Sequence, residues 1–129
     1  MNLPAGAKLD AAMAECALHA HVLGEAAAAL PAGFTAETAV AVDADLRRWL
    51  DQAAYRFMKL QDSLGEKVLP GLLAATLDPL PPEATFAERL QRLERLGAVP
   101  SAQGWRLLRE VRNSLDMSTR RIRLCRLRR

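Results

Sequence analysis

Two adjacent residues near the end of the chain, Arg112 and Asn113, have side chains suited to work on a phosphodiester. The planar guanidinium of an arginine presents parallel N–H donors that match two oxygens of a phosphate. An asparagine inside a helix is mildly unfavourable, because its amide competes with the backbone; its presence favours a purpose or a nearby helix end. Each residue also has a plainer reading. Arg112 follows Val111, on the flank of an apolar stripe where an exposed arginine is ordinary. Just beyond, residues 118–129 hold six arginines and no acid. Such a run is a solvated arm or a nucleic-acid contact, whose affinity would be salt-sensitive and blind to sequence. Ile122, Leu124 and Leu127 interleave with these arginines, but no aromatic does.

Other reactive side chains point to less. His19 and His21 are two apart, about 200° around a helix, so they cannot share a metal and read as surface or satisfied histidines. Asp62 and Glu66 fall on one helical face, where a solvated acidic patch is the expectation rather than a pair of catalytic carboxylates. Trp49, Tyr55 and Trp105 read as core or interface anchors before base-stacking platforms. Gly24, Gly65, Gly71 and Gly97 are isolated, so no loop is built to cradle a phosphate. No Ser has His and Asp companions, and Cys16 and Cys125 make neither a disulfide framework nor a zinc site. No cofactor or metal is expected.

The elements that must position these residues are helices. Half of the 129 residues are hydrophobic and only 5% aromatic, with Ala and Leu dominant, a mix suited to close-packed helices. The length is that of one domain able to bury a core without disulfides or metal. A first helix is expected from about Lys8 to Leu30, with Leu9, Met13, Cys16, Ala20, Leu23, Ala27 and Leu30 on its stripe. Pro31 and Gly33 break it. A longer helix should run from about Ala36 to Leu64 on Leu46, Leu50, Ala53, Phe57, Leu60 and Leu64, until Pro70 kinks or ends it. A short apolar piece, "EKVLPGLLAAT", then lies across the bundle as a kinked continuation. The proline-rich "LDPLPPEA" is a loop. Thr85 and Glu88 form a capping box, with Phe86, Leu90, Leu93 and Leu96 as stripe and Gly97 as C-cap. Ser101 caps a last helix whose apolar face is Trp105, Leu108, Val111 and Leu115. The expected fold is all-α, an antiparallel up-and-down bundle of four to five helices.

Outside residues 118–129 the chain carries twelve basic against fifteen acidic residues, so the body is mildly acidic and the formal charge of +3 belongs to the tail. The opening residues lack the basic-then-apolar pattern of a signal peptide, and no apolar run reaches the length of a membrane span. The expected location is cytoplasmic, with no membrane partner.

Two segments, "RFMKLQDSLGEKVLPGLL" (56–73) and "TFAERLQRLERLGAVPSAQGWRLLREVRNSL" (85–115), resemble small bacterial proteins of the HEPN superfamily, in particular the toxin partners of minimal nucleotidyltransferase antitoxins. The resemblance covers roughly half the chain. It implies a four-helix bundle that pairs as a homodimer, a nucleotidyltransferase partner, and a metal-independent ribonuclease site. That site is an Arg, a polar residue such as Asn, three variable residues and a His, with a Tyr two residues later in one branch as the target of adenylylation. Arg112 and Asn113 match the start. Met117 stands at the His position and Thr119 at the Tyr position. A thioether exchanges no proton, so Met117 cannot serve as acid or base in 2′-hydroxyl attack on RNA. The resemblance therefore implies a weakly active or inactive ribonuclease scaffold in residues 1–117, followed by an Arg-rich tail in 118–129.

The usage of fifteen Arg against three Lys matches GC-rich codons. With codons of that kind except AGT for Ser118, a choice the amino-acid sequence permits without forcing, reading "DMSTRRIRLC" from the third base of the Asp116 codon yields His-Glu-Tyr-Pro-Ala-Asp-Pro-Ala-Leu, which restores His and Tyr at the spacing the resemblance implies. The tail is accordingly expected to be the same gene in a shifted frame. Two other readings compete with a broken ribonuclease. One is a non-catalytic helical dimer that binds a nucleotidyltransferase or presents a nucleotide or RNA substrate to it. The other is a nucleic-acid binder driven by its tail.

Overall fold

A computed structural model of the chain describes residues 4–35, 42–76 and 79–127, with side-chain surroundings as far as Ser118. Its elements are α1 (Ala5–Ala28), α2 (Ala44–Ser63), a π-helical turn (Leu64–Val68), α3 (Leu69–Ala74), α4 (Phe86–Arg95) and α5 (Ala102–Leu127). The fold is all-α, with no strand among the described residues. The first residues expected in the second helix, 36–41, and Leu77 and Asp78 of the proline-rich loop lie outside the described residues.

Local chemistry sets the boundaries. The Leu46 N–H donates to Asp43 Oδ1 at 2.8 Å, starting α2. Thr85 Oγ1 accepts from the Glu88 N–H at 3.2 Å and Ser101 Oγ from the Gly104 N–H at 3.0 Å, the two N-caps expected from the sequence. Gly97, at φ 78°, ends α4 in the left-handed region that a side chain would strain.

Pro70 does not stop the helix, which continues through it in α3. Immediately before it the helix widens, the Leu69 N–H donating to Leu64 O five residues back. A proline has no N–H to place in the ladder, and the wide turn lets the helical path run on through it from α2 into α3. Counted that way the described residues form four principal helices.

Contacts between helices give their directions. Leu9 lies against Gly71, Glu15 against Ser63 and Lys67, and His19 against Arg56, so α1 runs antiparallel to α2. Trp105 lies against Gly65 while Arg109 and Arg112 reach Asp62, so α5 is antiparallel to α2 as well.

The core lies around the π-turn. One cluster joins Leu69, Leu90, Leu93, Val99, Ala102 and Trp105, and another joins Ala12, Cys16 and Val68; Leu64 and Leu72 pack against both. The stripe of α1 is rotated from the expected one. Ala12, Cys16, His19 and Ala26 are buried, whereas Met13, Ala20 and Ala27 are exposed. In an alanine-rich helix several stripes are nearly equivalent, and a partner for His19 on α2 decides between them. Phe86 and Leu96 are exposed, so Leu90 and Leu93 alone carry the buried face of α4.

The last helix also departs from expectation. A five-residue offset turns about 140° around a helix, so the Met117 position is expected where the helix frays or turns. Instead α5 continues through Met117 to Leu127, with no break between residues 117 and 118.

Candidate functional site

Arg112 and Asn113 lie on the part of α5 that runs beside the end of α2. Arg112 is half-buried and aims its guanidinium at α2, donating from Nε to Asp62 Oδ1 at 2.9 Å and from Nη2 to Asp62 Oδ2 at 2.8 Å. This is the two-point fork that makes an Arg–carboxylate pair geometrically specific. Arg109, one turn earlier, donates from Nη1 to the same Asp62 Oδ1 at 3.0 Å. On the other edge of the Arg112 guanidinium, Nη1 stands 3.4 Å from Asn113 Oδ1 and 3.6 Å from Asp116 Oδ2. Asn113 itself is exposed. The sequence brings Arg112 and Asn113 together trivially; α5 and α2 together bring in Asp62, Arg109 and Asp116.

Asp62 is therefore not part of a solvated acidic patch. It sits in the seam between α2 and α5 and Glu66 is exposed outside it. Partial burial pushes the Asp62 carboxyl up, but hydrogen bonds and charge from Arg112 and Arg109 outweigh burial and hold it below the usual carboxylate range. The hydrogen bond to Asp62, opposed by burial and reinforced by the charges of Asp62, Asp116 and Glu66, raises Arg112.

Met117 is exposed on α5. Its thioether supplies no acid or base, and the two histidines belong to α1 rather than to this helix. His21 is exposed and pairs with Glu25 at 2.7 Å. His19 is buried, its Nδ1 3.0 Å from Arg56 Nη1 and its Nε2 3.6 Å from Glu15 Oε1, beyond hydrogen-bond reach. Glu15 also accepts from Ser63 Oγ at 3.2 Å and Lys67 Nζ at 3.1 Å. Those bonds, Lys67 first, hold its carboxyl low. The polar groups of this cluster face one another between α1 and the segment from α2 into the π-turn.

Among the aromatics, Trp105 is a core anchor as expected, while Trp49 and Tyr55 are substantially exposed on α2. Arg56 and Lys59 lie 5.6 and 5.8 Å from the Tyr55 ring centroid. Among the described residues no group of three His, Cys, Asp or Glu is placed to hold a metal ion, and no helix is long and apolar enough to cross a membrane. The arginines of the tail carry no described side-chain surroundings, and Arg128 and Arg129 lie outside the described residues.

A groove of about 550 Å³ opens beside this seam. Leu64, Leu69, Val99 and Trp105 form its floor, and Leu107, Leu108 and Val111 of α5 stand half-exposed along it. No protein-family model, curated protein or solved structure matches the chain.

Proposed function

We propose that this chain is the scaffold of a HEPN-type ribonuclease toxin from a toxin–antitoxin pair, weakly active or inactive because Met117 stands where the catalytic His is expected. The observation that carries this reading is the placement of Arg112. A guanidinium suited to a scissile phosphate is held in one orientation by a carboxylate on a second helix, not left free on the surface. In an in-frame version of the protein, Arg112 would hold the phosphate and the restored His would act as base toward the 2′-hydroxyl.

The test is a matched RNA-cleavage assay. One sample is this chain; the other continues after Asp116 as His-Glu-Tyr-Pro-Ala-Asp-Pro-Ala-Leu; each is also prepared with Arg112→Ala. Cutting by the second sample alone, lost on Arg112→Ala, supports the reading. Absence of cutting in all four ends it. The nucleotide sequence tests the shifted frame separately, and a Ser118 codon of the TCN type rejects it.

A second reading is favoured by the groove. Leu107, Leu108 and Val111 present an apolar face of α5 next to the arginines, which suits a non-catalytic homodimer or a nucleotidyltransferase partner. Sedimentation of the chain alone and with Leu108→Asp checks the homodimer: a dimer that dissociates on this substitution supports pairing through α5, and a monomer in both cases removes the homodimer.

A further inference from the structure

Arg112 is the residue a phosphate would use, yet its fork is already filled. Asp62 takes the Nε–Nη2 edge with both carboxylate oxygens, and the opposite edge faces Asn113 Oδ1 and Asp116 Oδ2. A carboxylate and a phosphodiester offer a guanidinium the same pair of oxygens at the same spacing. The two cannot occupy one edge together.

We propose that Asp62 is an intramolecular competitor for the RNA phosphate: it holds Arg112 in a closed state, and binding requires the Arg112 fork to pass from Asp62 to the phosphodiester. This rests on the reading of Arg112 as the phosphate-holding residue.

Arg109 makes the exchange feasible. Stripping the only cation from a partly buried carboxylate leaves an uncompensated charge, a heavy penalty. Asp62 would not suffer it, because Arg109 Nη1 already bonds to Oδ1 at 3.0 Å and remains when Arg112 departs. Arg109 is the more exposed of the two arginines, at 38% of its side chain against 20% for Arg112, and so has room to follow Asp62. The seam thus has two arrangements of the same three charges. In the closed one Asp62 bridges both arginines; in the open one it pairs with Arg109 alone and Arg112 is released.

The test measures binding rather than cleavage. The probe is a short fluorescent single-stranded RNA with 2′-O-methyl sugars, which cannot undergo 2′-hydroxyl attack, titrated by anisotropy at one fixed salt concentration. Asp62→Asn, which keeps the shape but weakens the competing bond, is expected to tighten binding about tenfold, the equivalent of one charge-assisted hydrogen bond. Asp51→Asn makes the same change of charge at an exposed position of α2 and is expected to leave affinity nearly unchanged. Adding Arg112→Ala to Asp62→Asn should abolish the gain.

An equal gain in Asp51→Asn, a gain that survives Arg112→Ala, or no gain overturns the lock. Should Asp62→Asn not fold by circular dichroism, the unmodified chain decides. The Arg112 Nε–H resonance is expected to move at saturating RNA, and an unmoved resonance overturns the proposal. The outcomes separate from those of the cleavage assay. Tighter binding by Asp62→Asn in a chain that never cuts keeps the lock and removes the ribonuclease; cutting by the shifted-tail chain without tighter binding does the reverse.

Discussion

Asp62 shows what a single residue's chemistry depends on and how little of that is local. In the sequence it is one of two acids four apart, a pattern that describes any solvated helix face. Its partners are Arg109 and Arg112, some fifty positions away, and only the antiparallel packing of α5 on α2 brings them within 3.0 Å. Arg112 stands out in the sequence by its type and its neighbour; the carboxylate that holds it does not. The pairing also fixes a pH dependence. The folded-state carboxyl lies below its ordinary value, so the stability it adds is fully present above the unfolded-state pKa near 4 and is lost as pH falls through the folded-state value. Asp62→Asn is expected to cost about 1–3 kcal/mol at neutral pH, because two arginines lose a charged acceptor. That loss should shrink as pH is lowered. Urea unfolding at pH 7 and pH 3 measures both values, and an equal loss at the two would mean that Asp62 adds no charge-dependent stability.

Elements were the most legible scale, with informative exceptions. Caps at Thr85 and Ser101 and the stop at Gly97 are local devices, and they occur where sequence alone puts them. Thr85→Ala is expected to lose about 1 kcal/mol, read as a lower denaturant midpoint. Pro70 is different, because whether a proline kinks, ends or passes depends on the turn before it. The π-turn there also sets Gly65 against Trp105. A Cβ at Gly65 would lie 3.3 Å from the indole Cζ2, and that ring is buried in the core and cannot yield easily. Gly24 sits in α1 with nothing within 4 Å of a Cβ. The same substitution should therefore act in opposite directions at the two sites. Gly24→Ala is expected to gain up to about 1 kcal/mol from helix propensity, while Gly65→Ala gains nothing or destabilises. Thermal unfolding of the pair is decisive, since a gain at both would mean that Trp105 shifts freely. The stripe of α1 failed for a related reason: alanines at many positions leave the helix rotation to tertiary partners, here Arg56 for His19.

For the whole molecule, the division at residues 117 and 118 becomes a question of energy rather than of backbone. The charge balance changes abruptly there, from a body of net −3 to a tail of six arginines, yet α5 passes the boundary as one helix. A continuous backbone does not make the tail a structural necessity. Among the described residues, the two buried clusters draw on residues from Ala12 to Trp105, and the α2–α5 ion pairs join Asp62 to Arg109 and Arg112. A helix end can fray at little cost where the core is built by other residues, since fraying then breaks hydrogen bonds without exposing that core. A chain ending at Met117 is therefore expected to unfold cooperatively, with a midpoint within about 4 °C of the full chain, the equivalent of roughly 1 kcal/mol. It should also lose most of any salt-sensitive affinity for single-stranded RNA, because the remaining chain has more acids than bases. Calorimetry and anisotropy on the same two proteins separate these contributions. A lowered and broadened transition would make the tail part of the fold and weigh against a shifted frame, because an accidental sequence has no reason to stabilise the bundle. An unchanged transition with RNA binding retained would instead place the affinity at the α2–α5 seam, where Arg109 and Arg112 lie.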